Sequence, residues 1–229
     1  MSAKRFFDPG LFRFLKQLAA NNNRDWFNEN KARYVSDVVA PATTLIESME
    51  PRLATLTTHF RADPRRNGGS MMRIYRDTRF GNDKRPYKLN VGIQFRHEAG
   101  RDVHAPGFYL HLEPGDCFVA AGIWRPASPA LRAIREFIAD NPSSWRRARD
   151  ASPFADHFTL SGESLKRPPR GFDADHPEIA DLKRKDFIAF TPLTEAEVCG
   201  EGLADRITAA YGETAPLMRF LCAALDVPF

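Results

Sequence analysis

Apolar side chains recur at helical spacing through the first third of the chain and then switch to every second position. Leu11, Phe14, Leu15 and Leu18 form one stripe, with Asp8 able to cap the helix and Pro9 suited to its first position. Asn21-Asn22-Asn23 breaks this helix. A second is expected from about Asp25, carrying Phe27, Tyr34 and Val38, and Pro41 should kink or end it. A third stretch carries Leu45, Met49, Leu53 and Leu56.

The period then becomes two. Met72 and Ile74 alternate with Arg73 and Tyr75; Val91, Ile93 and Phe95 with Gly92, Gln94 and Arg96; Phe108, Leu110 and Leu112 with Tyr109, His111 and Glu113. Such alternation predicts antiparallel strands with one face on a core and one face polar, so the two apolar triplets at 91–95 and 108–112 should face the helices from neighbouring strands. Residues 117–124 are more uniformly apolar and read as an inner strand, joined to the previous one by the turn Glu113-Pro114-Gly115-Asp116.

Helical signals return afterwards. Ser128-Pro129 opens a helix with Leu131, Ile134 and Ile138, and Asn141-Pro142 ends it and starts the next. Residues 187–190 read as a short strand, Thr194 with Glu197 as a capping box, and about 215–225 as a last helix with Met218, Leu221, Cys222 and Leu225 on one face. Residues 166–171, Lys-Arg-Pro-Pro-Arg-Gly, form a stiff basic loop. The expected fold class is α+β: an antiparallel sheet over about 71–124, with a strand near 187–190, packed against N- and C-terminal helices. No linker or repeat divides the chain, so 1–229 is read as a single domain.

Composition agrees with a packed core. Hydrophobic residues are 43% and charged residues 27% of 229, and eighteen Phe supply large buried surfaces. Lys4, Arg5, Asp8 and Arg13 interrupt any apolar leader, and the apolar runs at 118–124 and 220–225 are far shorter than the roughly 20 residues of a membrane span. The chain therefore reads as cytoplasmic, with no membrane partner. Cys117, Cys199 and Cys222 lie far apart and read as small buried hydrophobes.

Charge is uneven. Between Arg61 and Arg96 ten Arg or Lys face Asp63, Asp77 and Asp83, a surplus of seven in a chain whose net charge is +4. This concentration points to an anionic partner. Arg73, Tyr75, Arg76 and Arg79, then Lys84, Tyr87 and Lys88, bring planar guanidinium forks, amines and phenol rings into one block, the chemistry that grips phosphate or carboxylate. The alternative is that Asp77 pairs with Arg76 or Arg79 and the block is a solvated surface. His111 and Glu113 share a strand face with Tyr109 and are the best acid–base candidates. A metal would need at least three ligands, and no further His or Cys stands at a diagnostic spacing, so no metal is expected; His97 and His104 lie in the preceding hairpin. Signatures for dinucleotide, triphosphate, serine-hydrolase, zinc-protease or calcium sites are absent, and no cofactor is named.

One family carries these residues in this order. The opening Leu15-Lys16-Gln17-Leu18 through Asn21-Asn22-Asn23-Arg24-Asp25-Trp26-Phe27, with Asn30-Lys31 and Tyr34, resembles the uncharacterised bacterial and fungal family known as domain of unknown function 2461. The block Arg73-Ile74-Tyr75-Arg76-Asp77-Thr78-Arg79-Phe80 with Asp83-Lys84 and Pro86-Tyr87-Lys88 is similar to its most recognisable motif, continued by Gly107-Phe108-Tyr109, Glu113-Pro114, residues 122–126, 165–172 and His176-Pro177. The resemblance implies a single domain of about this length and no assigned activity.

Three readings follow. An anionic or phosphorylated small molecule is bound on the polar sheet face by Arg73, Tyr75, Arg76 and Arg79, with or without catalysis. Alternatively nucleic acid is bound through the same block with Arg65, Arg66 and the 166–170 loop, or the arginines pair internally and serve structure or protein interaction. A deep pocket favours the first, a broad positive surface the second, and saturated arginines the third.

Overall fold

The alternation at 91–95 and 108–112 becomes two adjacent antiparallel strands, with Ile93 opposite Leu110 and Phe95 opposite Phe108. The computed structural model describes residues 4–77, 79, 84–100 and 105–229; His104 and the motif positions Thr78, Phe80 and Asp83 lie outside them. Among the described residues six strands, β1 (Phe60–Arg61), β2 (Val91–His97), β3 (Gly107–Glu113), β4 (Asp116–Ile123), β5 (Thr159–Ser161) and β6 (Phe187–Leu193), form one antiparallel sheet in the order β1-β2-β3-β4-β6-β5. β4 is an inner strand, as its apolar run predicts. The β3–β4 turn is as tight as Pro114-Gly115 suggests, with Gly115 in the left-handed region at φ 81° and Glu113 facing Asp116 across it.

Because β-strand side chains alternate, one face of the sheet is apolar throughout. Val91, Ile93, Phe95, Phe108, Leu110, Leu112 and Val119 are buried there against the helix Gly10–Ala20, the helix Ala40–Ala54 and the helix Leu203–Glu213. Toward the far end, Ile123, Phe187 and Ala189 meet Trp145, Ile134, Ile138 and Leu221 in a second cluster. Ala210 packs against both clusters. The molecule is thus α+β, with helices covering one sheet face.

Local signals mostly produce the expected elements. Asp8 accepts from the Gly10 amide, Asn23 caps the helix Arg24–Glu29, and Thr194 and Glu197 complete a capping box. Two expectations differ. Pro41 does not end its helix: the turns just before it, Val35–Val39, are π-helical, and the chain continues as Ala40–Ala54. Residues 71–75 form isolated bridges rather than a regular strand. Met71 pairs with Ile93, the chain then changes partner, and Tyr75 pairs with Tyr87. The Met72 amide donates to the Gly92 carbonyl at 2.9 Å, whereas the Lys88 amide donates to Ile74 at 2.7 Å.

The three thiols are unpaired, with Cys117 and Cys222 buried and Cys199 half-buried. Burial pushes Cys117 up to about 11 and Cys222 up to about 12, so both remain thiols at neutral pH. Among the described residues, no helix is long and apolar enough to cross a membrane.

Candidate functional site

The sheet face turned away from the helices is not flat. Glycine and alanine at Gly107, Ala120 and Gly122 leave it thin beside β4, while Met72, Lys88 and Trp124 rise around it. The result is a cleft of about 560 Å³. Gly122 sits at φ 128°, and a side chain there would run into the Phe187 carbonyl of β6, so the floor at this point must be bare backbone.

Tyr109, His111 and Glu113 of β3 line up along this face because they are spaced by two. Tyr109 Oη lies 3.0 Å from His111 Nδ1, and His111 Nε2 lies 3.2 Å from Glu113 Oε2. Burial, reinforced by the charge of Glu113, pushes the Tyr109 hydroxyl up to about 12, so it is a hydrogen-bond donor at neutral pH. The phenol therefore donates to Nδ1, and the tautomer assigned from this network carries its proton on Nε2 and donates it to Glu113. Asn90 Nδ2 approaches the same Nδ1 at 3.4 Å. Phe118, opposite His111 in the neighbouring strand, stacks on the imidazole at 4.6 Å and 4°.

Room for the phenol is made by Gly92. A Cβ at this position would stand 2.7 Å from Tyr109 Oη and 3.1 Å from Met72 Sδ.

The basic block divides around this cleft. Lys88 lines it, half-buried, and burial together with the nearby Arg73 charge lowers its amine below the usual lysine value. No carboxylate among the described residues lies within ion-pair distance of Lys88. An adjoining hollow of about 430 Å³ shares Lys88 and Asn90 and is lined also by Arg76, Arg85, Asp77 and Glu113. Tyr109, His111, Glu113 and Lys88 are thus brought together, with Arg76 at the border. Other members stand apart. Arg73, Arg79 and Lys84 are exposed. Arg79 grips Asp77 through Nε and a terminal nitrogen at 3.0 and 2.7 Å, which holds the Asp77 carboxyl down at about 2. Tyr75, 60% exposed, lies over a separate hollow with Arg24 and Arg76.

Tyr87 belongs to the core. Its ring stacks on Phe27 at 4.1 Å, and its backbone N–H and C=O are both bonded by the side chain of Asn22. The asparagine triplet and the basic block, 65 residues apart, are joined at this point.

Sequence reasoning did not single out Asn90, Gln94, Phe118 or Trp124 as site residues. Gln94 occupies an outward position of β2 and is only 8% exposed. The alternation at 91–96 was enough to place it on this face, though not to show that the face is covered.

Among the described residues no group of three His, Cys, Asp or Glu side chains is arranged to hold a metal ion. No curated protein matches the chain. Residues 10–220 match a family model described as conserved hypothetical protein (DUF2461), and the chain belongs to that family.

Proposed function

We propose that this protein binds a small anionic ligand in the cleft on the outer sheet face, with Lys88 as the anchoring cation and Tyr109, His111 and Glu113 available for proton transfer. The observation that carries the reading is Lys88: an amine drawn into a largely apolar cleft, depressed by burial, with no carboxylate among the described residues to offset it. A bound carboxylate or phosphate would compensate that charge. The adjoining hollow at Lys88 and Asn90 brings Arg76 and Arg85, together with Asp77 and Glu113, to the border of the cleft.

The chemistry on offer is acid–base. A proton leaving a ligand beside the Tyr109 hydroxyl would pass toward His111 Nδ1, and Glu113 on Nε2 would stabilise the imidazolium that forms. The nucleic-acid reading has less support, since Arg65 is held by Asp63 and Arg79 by Asp77.

Native mass spectrometry of the purified protein tests the binding. A bound acidic mass in the unaltered chain that is lost from Lys88→Ala is expected. A chain that carries none, and whose melting point is unmoved by aromatic carboxylates or phosphomonoesters, contradicts the proposal.

A further inference from the structure

At the end of the cleft away from Lys88 lies a second polar group, the Gln94 carboxamide. It is more than nine-tenths buried, lines the cleft, and its side chain makes no hydrogen bond to another described residue. Its Nε2 lies over Gly107, 3.1 Å from where a side chain there would begin. Gly107 is paired with Gly122 in the next strand, so two bare backbones make a shallow pit beside the amide. Ile188 and Trp124 wall the pit. A carboxamide offers a donor group and an acceptor side by side, and here both are left for a ligand in the cleft. Its lining of glycine backbone, Ile188 and Trp124 is apolar, a surface on which a flat ring can lie.

Asn90 and Gln94 are four residues apart on one extended segment, roughly 13 Å. Lys88 lies beyond Asn90, so the two polar ends of the cleft are separated by more than a simple carboxylate or phosphate would span. Resting on the anion-binding reading above, we infer that the ligand is nucleotide-like: a flat heterocycle whose adjacent donor and acceptor pair with Gln94, joined through a linker past Tyr109 to an anionic group at Lys88. Glutamine reads such edges in the same two-point manner when it pairs with a nucleobase.

Isothermal titration of the full chain with the four common nucleoside 5′-monophosphates, ribose 5-phosphate and 2-naphthoate tests this. The variants are Gln94→Met, close in volume and lacking both polar atoms, and Lys88→Met, with circular dichroism to confirm folding. At least one nucleotide is expected to bind more tightly than ribose 5-phosphate or naphthoate. Gln94→Met should weaken that nucleotide by about tenfold or more, the effect of one lost hydrogen-bonding edge, and leave the other two probes unchanged. Lys88→Met should weaken all the anionic probes. If naphthoate binds as well as any nucleotide, or Gln94→Met changes nothing while Lys88→Met still weakens binding, the heterocycle inference is overturned and the anion reading stands. If no probe binds at millimolar concentration, or Lys88→Met has no effect, both fall together.

Discussion

The His111 imidazole lies 4° from parallel with the Phe118 ring, their centroids 4.6 Å apart. This stack holds the imidazole in the one plane that lets Nδ1 face Tyr109 and Nε2 face Glu113. Phe118→Leu should therefore free the ring and cost about 1–2 kcal/mol of stability, the aromatic pair together with lost apolar contact. Nitrogen-15 spectra of labelled histidine should show a single Nε2–H tautomer in the unaltered protein and a mixture in the variant. Phe118→Tyr should retain the single tautomer.

Gly92 stands opposite His111 on the other side of β3, and its missing side chain is the space that Tyr109 occupies. Gly92→Ala should fold, lose about 1–3 kcal/mol through overpacking, and displace the phenol from His111. At about 2–4 °C per kcal/mol for a chain of this size, calorimetry will detect the change. A variant that melts unchanged would mean that the phenol is not held where described.

Tyr211 is fully buried between Phe95 and Phe108, and its hydroxyl has no hydrogen-bond partner among the described residues. Removing an unsatisfied hydroxyl restores no lost contact and relieves a desolvation cost. Tyr211→Phe should raise stability by about 1 kcal/mol, seen as a higher midpoint in urea.

Asp181, 3% exposed, ties the helix Pro142–Asp150 to residues 179–184 through Trp145 Nε1 at 2.8 Å, Arg184 Nε at 2.7 Å and the Arg149 guanidinium. Burial alone pushes its carboxyl up, but the hydrogen bonds from Arg184, Trp145 and Arg149 outweigh it and hold the group below its ordinary value of 3.8. A depressed carboxyl contributes stability that is complete above its unfolded value and is lost as pH falls through the folded one. Asp181→Asn should cost about 2–3 kcal/mol at pH 7, less than for a fully enclosed pair because Arg149 keeps Glu178 and Asp150. The difference from the unaltered protein should shrink as pH falls below 3.8.

Much of this was legible in the sequence because a period of two encodes which face a side chain takes. Val91, Ile93, Phe95, Phe108, Leu110 and Leu112 are all in the core, and Tyr109, His111 and Glu113 all lie on the other side. What periodicity does not encode is the partner. Residues 71–75 alternate like a strand, yet the chain leaves Gly92 for Tyr87 within that span, and only the three-dimensional pairing decides this. Tyr87 looked like a binding residue because it stands among lysines, while its burial depends on Phe27 and Asn22, far away in the chain. Gln94 carries no signal in the sequence, because a polar residue on the outer face of a strand normally meets water. It acquires meaning only when Met72, Lys88 and Trp124 build walls around it.

The central claim is that the outer-face cleft, and not the exposed basic surface, is where an anion is held. Mapping backbone amide shifts of nitrogen-15-labelled protein during titration with aromatic carboxylates and phosphomonoesters tests it most directly. The account predicts saturable shifts centred on Lys88, Asn90, Gln94, Tyr109 and His111 that disappear in Lys88→Ala, while the amides around Arg79 and in the groove near Arg132 and Arg170 stay still. Shifts centred on Arg79 or on that groove, with the cleft silent, would contradict it.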